Sequence, residues 1–157
     1  MTRRFTLILA CLSITLLGHA TDKSVTLEHP GTLSDILGDE LMGIESISIA
    51  GTLNDDDILT LKEATKSGKL AEIDLSKAEL ANNALPNYAF YEATRLRNII
   101  LPETLTTIGT AAFGFDSDLE GIVIPESVTF LGEYAFEFCP SLRSAKLPDK
   151  LEEIPTA

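Results

Sequence analysis

The feature that most constrains this chain is a repeat with a period of 23 residues. The pair Ala-Phe returns at Phe90, Phe113 and Phe136 in the same register. Four further columns keep step with it: Leu96, Leu119 and Leu142; Leu101, Ile124 and Leu147, each followed by Pro; Leu105, Val128 and Leu151; and Ile108, Leu131 and Ile154. Because self-similarity at such a period is the signature of stacked structural units, the sequence predicts a repeat architecture.

Each unit is predicted to contain a short strand, a turn marked by Pro, a second extended run, and a short helical turn that carries the Ala-Phe pair. In the strand "LRNIIL", Ile99 and Leu101 point inward, while Asn98 and Ile100 point outward. The following Pro cannot donate to a strand ladder and therefore ends the strand. Stacking buries equivalent residues against one another. The predicted core contains Phe90, Phe113, Phe136, Leu96, Leu119, Leu142, Ile99 and Ile122.

Residues 96 to 154 resemble the BspA-like leucine-rich repeats of bacterial surface proteins, whose units read "L..I.LP..L..IG..AF..C". Gly109, Gly132 and Cys139 fit this pattern. The departures are Ala93 and Asp116 at the Cys position, Ala145 at the strand Ile, and Pro155 at the Gly. The resemblance implies an α/β-type solenoid, a right-handed stack of units with short strands on one face and a ladder of Phe side chains in the core.

The region before the repeats is predicted to form a cap. The stretches "IESISIAG" and "LAEIDLS" repeat the strand half of the unit alone. Between them, "NDDDILTLKEATKSG" predicts a helix that begins after a capping Asn54 or Asp55 and ends at Gly68, and "TLSDILGDEL" predicts a shorter one. We therefore divide the chain into a signal peptide at 1–20, an N-terminal cap at 21–68, and a solenoid at 69–157 whose last repeat is incomplete.

The first twenty residues predict export. Arg3 and Arg4 precede an apolar run that is too short to span a membrane, and small residues favour cleavage after Ala20. The alternative is that Cys11 is the acylated residue of a lipoprotein. If Cys11 leaves with the signal, Cys139 is the only remaining cysteine, so no internal disulfide is expected. The location predicted is secreted or on the cell surface.

Charge and composition argue against several functional classes. The formal net charge of -12 repels the phosphates of nucleic acids. His29 has no His or Cys partner at ligand spacing, and the chain has no Gly-rich phosphate loop, so no cofactor, metal or catalytic residue is predicted. The acids after Asn54 are interpreted as a helix cap, with a calcium site as the alternative. Cys139 is interpreted as a small buried residue.

A candidate binding face follows from the outward positions of the stacked strands. One column contains Glu72, Asn98, Gly121 and Ser144, and the next contains Asp74, Ile100, Val123 and Lys146. Ile100 beside Val123 would place two aliphatic side chains on an otherwise polar surface. Phe115 and Phe138, also one period apart, form either an exposed aromatic pair or a small cluster beneath the turn.

Two functions are consistent with this sequence. The resemblance implies an exported, noncatalytic protein that binds a protein partner, such as a host matrix or cell-surface protein, and mediates adhesion. The alternative is a structural spacer or cap of a longer adhesin that has no ligand of its own. The incomplete last repeat "LPDKLEEIPTA" predicts either that the chain is a fragment or that the open edge of the stack takes part in homo-association.

Overall fold

The computed structural model describes residues 21–151. The predicted signal peptide, Cys11, Ile154 and Pro155 lie outside the described residues. The strands are β1 (Asp22–Leu27), β2 (Ser46–Leu53), β3 (Glu72–Leu80), β4 (Ala84–Leu85), β5 (Asn98–Ile100), β6 (Thr107–Ile108), β7 (Gly121–Val123), β8 (Phe130–Leu131) and β9 (Ser144–Lys146). The helices are α1 (Leu33–Leu37) and α2 (Asp55–Ser67), with two 3₁₀ turns at Gly38–Gly43 and Ala81–Asn83.

The strands form parallel ladders, as expected for repeats that return to the same position. The first sheet has the order β1-β2-β3-β5, the second β4-β6-β8, and the third β7-β9. In the first, Ile73 of β3 is paired with Ile99 of β5, and both are buried. A parallel connection needs a crossover, and α2 provides it between β2 and β3. The chain therefore has a repeat α/β fold with many short parallel strands and few helices.

Helix α2 begins at the predicted cap. The side chain of Asn54 accepts hydrogen bonds from the backbone N–H groups of Asp56 and Asp57, both at 3.1 Å, and the Asp57 carboxylate accepts from the Asn54 N–H in return. Asp57 is fully buried and also accepts from the N–H groups of Gly31 at 2.6 Å and Leu33 at 3.0 Å. The capping interpretation is confirmed, and the Asp57 carboxylate accepts hydrogen bonds from three backbone N–H groups.

Each repeat closes with a run of tight turns, so the predicted helical turn at the Ala-Phe pair is wrong. Two residues per run have a left-handed backbone, at Tyr88 and Glu92 in one repeat and at equivalent positions in the next two. The N–H groups of alternate residues in a turn donate hydrogen bonds to backbone carbonyls of the following repeat, and we call this series of bonds the turn ladder. The Tyr88 N–H donates to the Thr110 carbonyl at 2.9 Å, and the Phe90 N–H donates to the Ala112 carbonyl at 2.7 Å. These bonds offset the strain of a positive φ in residues other than Gly.

The core runs through the repeats along the Phe column. The Phe90 and Phe113 rings are stacked, with centroids 5.7 Å apart, and Phe136 follows Phe113 at 5.4 Å. Of the predicted core, six side chains are buried: Phe90, Phe113, Leu96, Leu119, Ile99 and Ile122. Phe136 and Leu142 are half-buried and pack against that core. Burial is therefore less complete in the last described layer.

Candidate functional site

The candidate site is the outward surface of the short strands that follow β3. The strand register places Glu72 beside Asn98 and Asp74 beside Ile100. Two strands further on, it places Gly121 beside Ser144 and Val123 beside Lys146. Their inward neighbours Ile99 and Ile122 are buried, because successive side chains of a strand point to opposite faces. The outward columns therefore lie on the surface.

An open groove crosses this surface where β5 and β7 lie side by side. Within residues 21–151 the two strands belong to separate ladders, and their hydrogen-bonded link is the Glu120 N–H, which donates to the Arg97 carbonyl at 3.2 Å. The groove has a volume of about 910 Å³. Its lining includes seven residues of the two outward columns, namely Glu72, Asn98, Ile100, Gly121, Val123, Ser144 and Lys146. We call this site the strand-face groove.

Two exposed aliphatic side chains line the strand-face groove. Ile100 is 47% exposed and Val123 is 61% exposed, although each belongs to a strand whose central residue is buried. Burying such side chains against a partner is favourable by about 25 cal/mol per Å² of apolar surface. The groove therefore offers an apolar centre for binding.

Charged side chains also line the strand-face groove. Glu72 and Glu120 contribute carboxylates, and Arg97 and Lys146 contribute cations, so both signs are present. The Lys146 ammonium lies 3.4 Å from the Glu126 carboxylate in an exposed pair. Such a pair is worth little by itself and leaves the Lys free to contact a partner.

Asp74 is the one member of the predicted face that does not line the groove. Its carboxylate accepts the backbone N–H of Ser76 at 2.8 Å. Hydrogen bonds from the Ser76 hydroxyl and amide lower the pKa of Asp74 below its ordinary value. This side chain therefore stabilises β3 at the point where the pairing of β3 with β2 shifts register.

A family model identifies the repeats. The model of the BspA-type leucine-rich repeat region matches residues 65–157 and finds six copies of the unit. The match covers more than half of the chain. The chain belongs to the BspA-type leucine-rich repeat family. This confirms the resemblance that the repeat columns indicate.

Solved structures of other leucine-rich repeat proteins share this fold. A leucine-rich repeat protein from Bacteroides ovatus is 27% identical over 72% of this chain, with a TM-score of 0.56. The T. pallidum leucine-rich repeat protein is 25% identical over 80% of this chain, with a TM-score of 0.52. The chain spans 28% of the first protein and 52% of the second. No curated protein matches the sequence.

Family membership indicates the general kind of activity. Leucine-rich repeats generally mediate protein binding and are generally noncatalytic, and proteins with BspA-type repeats are typically extracellular bacterial proteins. Among residues 21–151, no helix combines the length and the apolar character that crossing a bilayer requires. The same part of the chain contains no group of three or more His, Cys, Asp and Glu side chains placed to hold a metal ion.

Sequence reasoning missed three charged residues that line the strand-face groove of this BspA-type chain: Arg97, Glu103 and Glu120. The 23-residue period could have identified two of them. Arg97 and Glu120 occupy equivalent positions directly before β5 and β7, and Glu103 follows the Leu-Pro pair that ends β5. The prediction considered only residues within the strands, whereas the groove extends to both strand ends.

The Cys position of the BspA-type unit holds buried groups. Asp116 is fully buried, and neither of its carboxylate oxygens has a hydrogen-bond partner among the described residues. Burial raises the pKa of Asp116 to about 8, although the backbone amides of Asp118 and Leu119 face the carboxylate and oppose the rise. One unit later, the half-buried Cys139 thiol lies 3.0 Å from the Phe113 carbonyl. Burial raises the pKa of Cys139 to about 11, so its thiol stays protonated and unreactive.

Proposed function

We propose that this chain is an exported, noncatalytic binding protein that holds a protein partner in the strand-face groove. The observation that carries the proposal is the exposure of Ile100 and Val123, two aliphatic side chains that both line the groove. An apolar centre with a polar, charged rim is the anatomy of protein interfaces. A matrix or cell-surface protein with a complementary apolar patch is the partner that we infer, and adhesion is the resulting activity.

The architecture supports this role. We infer that residues 21–68 cap the first layer and that residues 69–157 form a right-handed solenoid of repeated units. In the cap region, buried side chains of β1 and β2, such as Val25 and Ile47, continue the core on one side of β3. Capping units of this kind keep the end of a repeat stack in solution. The groove then lies on a rigid surface, which lowers the entropic cost of binding.

Export is the second part of the proposal. The basic start, the short apolar run and the small residues before Thr21 are typical of a secretory signal peptide with cleavage after Ala20. The intact mass of the protein recovered from the medium or cell surface tests this. A mass that retains residues 1–20 would contradict cleavage, and a lipid-modified mass that begins at Cys11 would favour the lipoprotein alternative.

Binding is tested with the double variant Ile100→Asp and Val123→Asp. We expect this change to reduce binding to purified extracellular matrix proteins, measured by surface plasmon resonance, by at least about tenfold, because two carboxylates would be buried in the interface. The matched control is Ile36→Asp with Leu59→Asp. Ile36 and Leu59 are also exposed aliphatic residues, but they lie on α1 and α2, outside the groove.

The comparison between the two double variants decides the question. Equal binding by both variants, with thermal unfolding unchanged, would exclude the strand-face groove as the binding site. If the unmodified chain binds no protein of the panel, the structural spacer becomes the better description.

A further inference from the structure

A second surface, on the side of the repeats formed by the tight turns, exposes aromatic side chains. Phe115 is 38% exposed and Phe138 is 68% exposed, and their ring centroids are 4.8 Å apart. Tyr91 precedes them, 5.4 Å from Phe115. We call Tyr91, Phe115 and Phe138 the aromatic row. Of the two sequence-based interpretations, the exposed pair is the one that the structure supports.

The backbone conformation of the turns determines where the rings of the aromatic row lie. Phe115 and Phe138 are two of the residues with a left-handed backbone, at φ of 59° and 50°. The Phe115 N–H donates to the Glu137 carbonyl at 2.7 Å, so the turn ladder holds the two rings in successive layers. The Tyr91 ring reaches the row because Gly114 has no side chain; a Cβ at Gly114 would lie 3.2 Å from the ring.

A cation already lies beside Tyr91, at one end of the aromatic row. Lys62 of α2 places its ammonium 5.8 Å from the centroid of the Tyr91 ring, and the same ammonium donates to the Tyr88 carbonyl at 3.1 Å. This is the geometry of a cation–π contact with an added hydrogen bond to the turn. Phe115 and Phe138 continue the row beyond Lys62, and the exposed parts of their rings offer the same kind of interaction.

The charge around the row favours a cationic occupant. The three turn segments that carry the row, residues 86–94, 109–116 and 132–139, contain no Lys or Arg. Glu133 and Glu137 lie in the same turn as Phe138, and both reach the surface. A second copy of this acidic chain would bring like charges together, which opposes self-association at this surface.

We propose that the aromatic row binds an extended, Arg- or Lys-bearing peptide segment of a partner protein. The cationic side chains would lie over the Phe115 and Phe138 rings as Lys62 lies over Tyr91. Glu133 and Glu137 would pair with cations at the edge of the row. This surface is separate from the strand-face groove, so the two binding sites can be tested independently.

The test uses the whole chain and fluorescent synthetic peptides. A peptide of alternating Arg and Ser is titrated at low and moderate salt, with a peptide of alternating Glu and Ser as its counterpart, and anisotropy is measured. The binding variant is Phe115→Asn with Phe138→Asn, because Asn tolerates a left-handed backbone. Thermal unfolding confirms folding, and Phe138→Asn alone replaces the double variant if the latter is unfolded.

We expect the Arg-Ser peptide to bind and the Glu-Ser peptide not to bind. Removing the rings should weaken binding about tenfold, and Glu133→Gln with Glu137→Gln should weaken it by a similar factor. The matched control is Glu103→Gln with Glu120→Gln, which removes two charges from the strand-face groove and should leave binding within about twofold.

Two results would overturn the proposal. If removal of the rings leaves the affinity unchanged while both pairs of Glu variants weaken it equally, only general charge attraction is present. If sedimentation equilibrium shows a dimer of the unmodified chain that is lost when the rings are removed, the occupant is a second copy instead of a basic segment.

Discussion

Phe113 and Phe136 stack with their ring planes only 4° apart, although one ring is fully buried and the other is half-buried. Phe113 is therefore the ring with core neighbours on both sides, since Phe90 stacks on its other face. We expect Phe113→Ala to lower the free energy of unfolding by about 3 to 5 kcal/mol, because truncation leaves a cavity between two layers. Urea unfolding measures this, with the exposed Phe138→Ala as the control at below about 1 kcal/mol. Equal costs for the two variants would contradict a continuous core.

The buried Asp116 makes stability depend on pH. The carboxyl ionises near pH 3.8 in the unfolded chain, whereas burial raises its pKa to about 8 in the folded chain. Between these values the folded chain holds a proton that the unfolded chain releases, so the contribution of Asp116 to stability is greatest below about pH 4 and is lost as pH rises toward 8. The free energy of unfolding should fall by up to about 1.4 kcal/mol per pH unit in this window.

Asp116→Asn isolates that contribution. The variant should lose this pH dependence and be more stable than the unmodified chain at neutral pH, as measured by urea unfolding at several pH values between 4 and 8. Asp118→Asn, two residues away and half-buried, is the control that should keep the slope. Identical slopes for the unmodified chain and Asp116→Asn would show that Asp116 does not hold its proton.

Gly109 is needed because two backbones meet at it. A Cβ at this position would lie 2.5 Å from the Asn87 nitrogen and 2.6 Å from the Pro86 carbonyl carbon, both in the preceding repeat. Since backbone atoms cannot turn aside as a side chain can, Gly109→Ala should destabilise the fold by about 1 to 3 kcal/mol. Gly43→Ala is the control, because no described atom lies within 4 Å of its Cβ position. If Gly109→Ala and Gly43→Ala have the same melting temperature, the backbones of the two repeats do not approach each other as closely as these distances indicate.

Asp57 joins the start of α2 to the loop before α1. Asp57→Ala removes the acceptor of three backbone N–H groups, the buried one of Leu33 and the part-buried ones of Gly31 and Asn54. We expect a loss of about 3 kcal/mol or more in the free energy of unfolding. Asp55→Ala, at an exposed position in the same helical turn, should cost below about 1 kcal/mol through the helix dipole alone. Similar losses in chemical unfolding would refute the special role of Asp57.

The sequence predicted the features that depend on local pattern. Ile99 is buried and Ile100 exposed because a strand alternates its side chains, and Asn54 caps α2 because its side chain reaches the free N–H groups of the first turn. The Phe column follows from the period alone. Repetition made these predictions dependable, since every layer carries the same physical requirements.

Features that depend on contacts between distant residues were not predictable. Nothing in the local sequence of Tyr88 favours a left-handed backbone; the bond from its N–H to Thr110, in the next unit, maintains that conformation. The separation of β5 and β7 into different ladders also depends on the contact between two repeats. Arg97 and Glu120, directly before these strands, line the groove between them. Such properties belong to pairs of units, whereas a repeat column describes one position within each unit.

The turn ladder has a direction, since in successive layers the N–H groups of Phe90 and Phe113 donate to the carbonyls of Ala112 and Ala135 in the unit that follows. Every layer thus presents the same kind of donor row on one side and the same kind of acceptor row on the other. A duplicated segment of one full period can therefore enter between two existing layers with both of its faces already matched. Gain or loss of whole units can therefore change the length of such a protein during evolution while its outward columns stay in register.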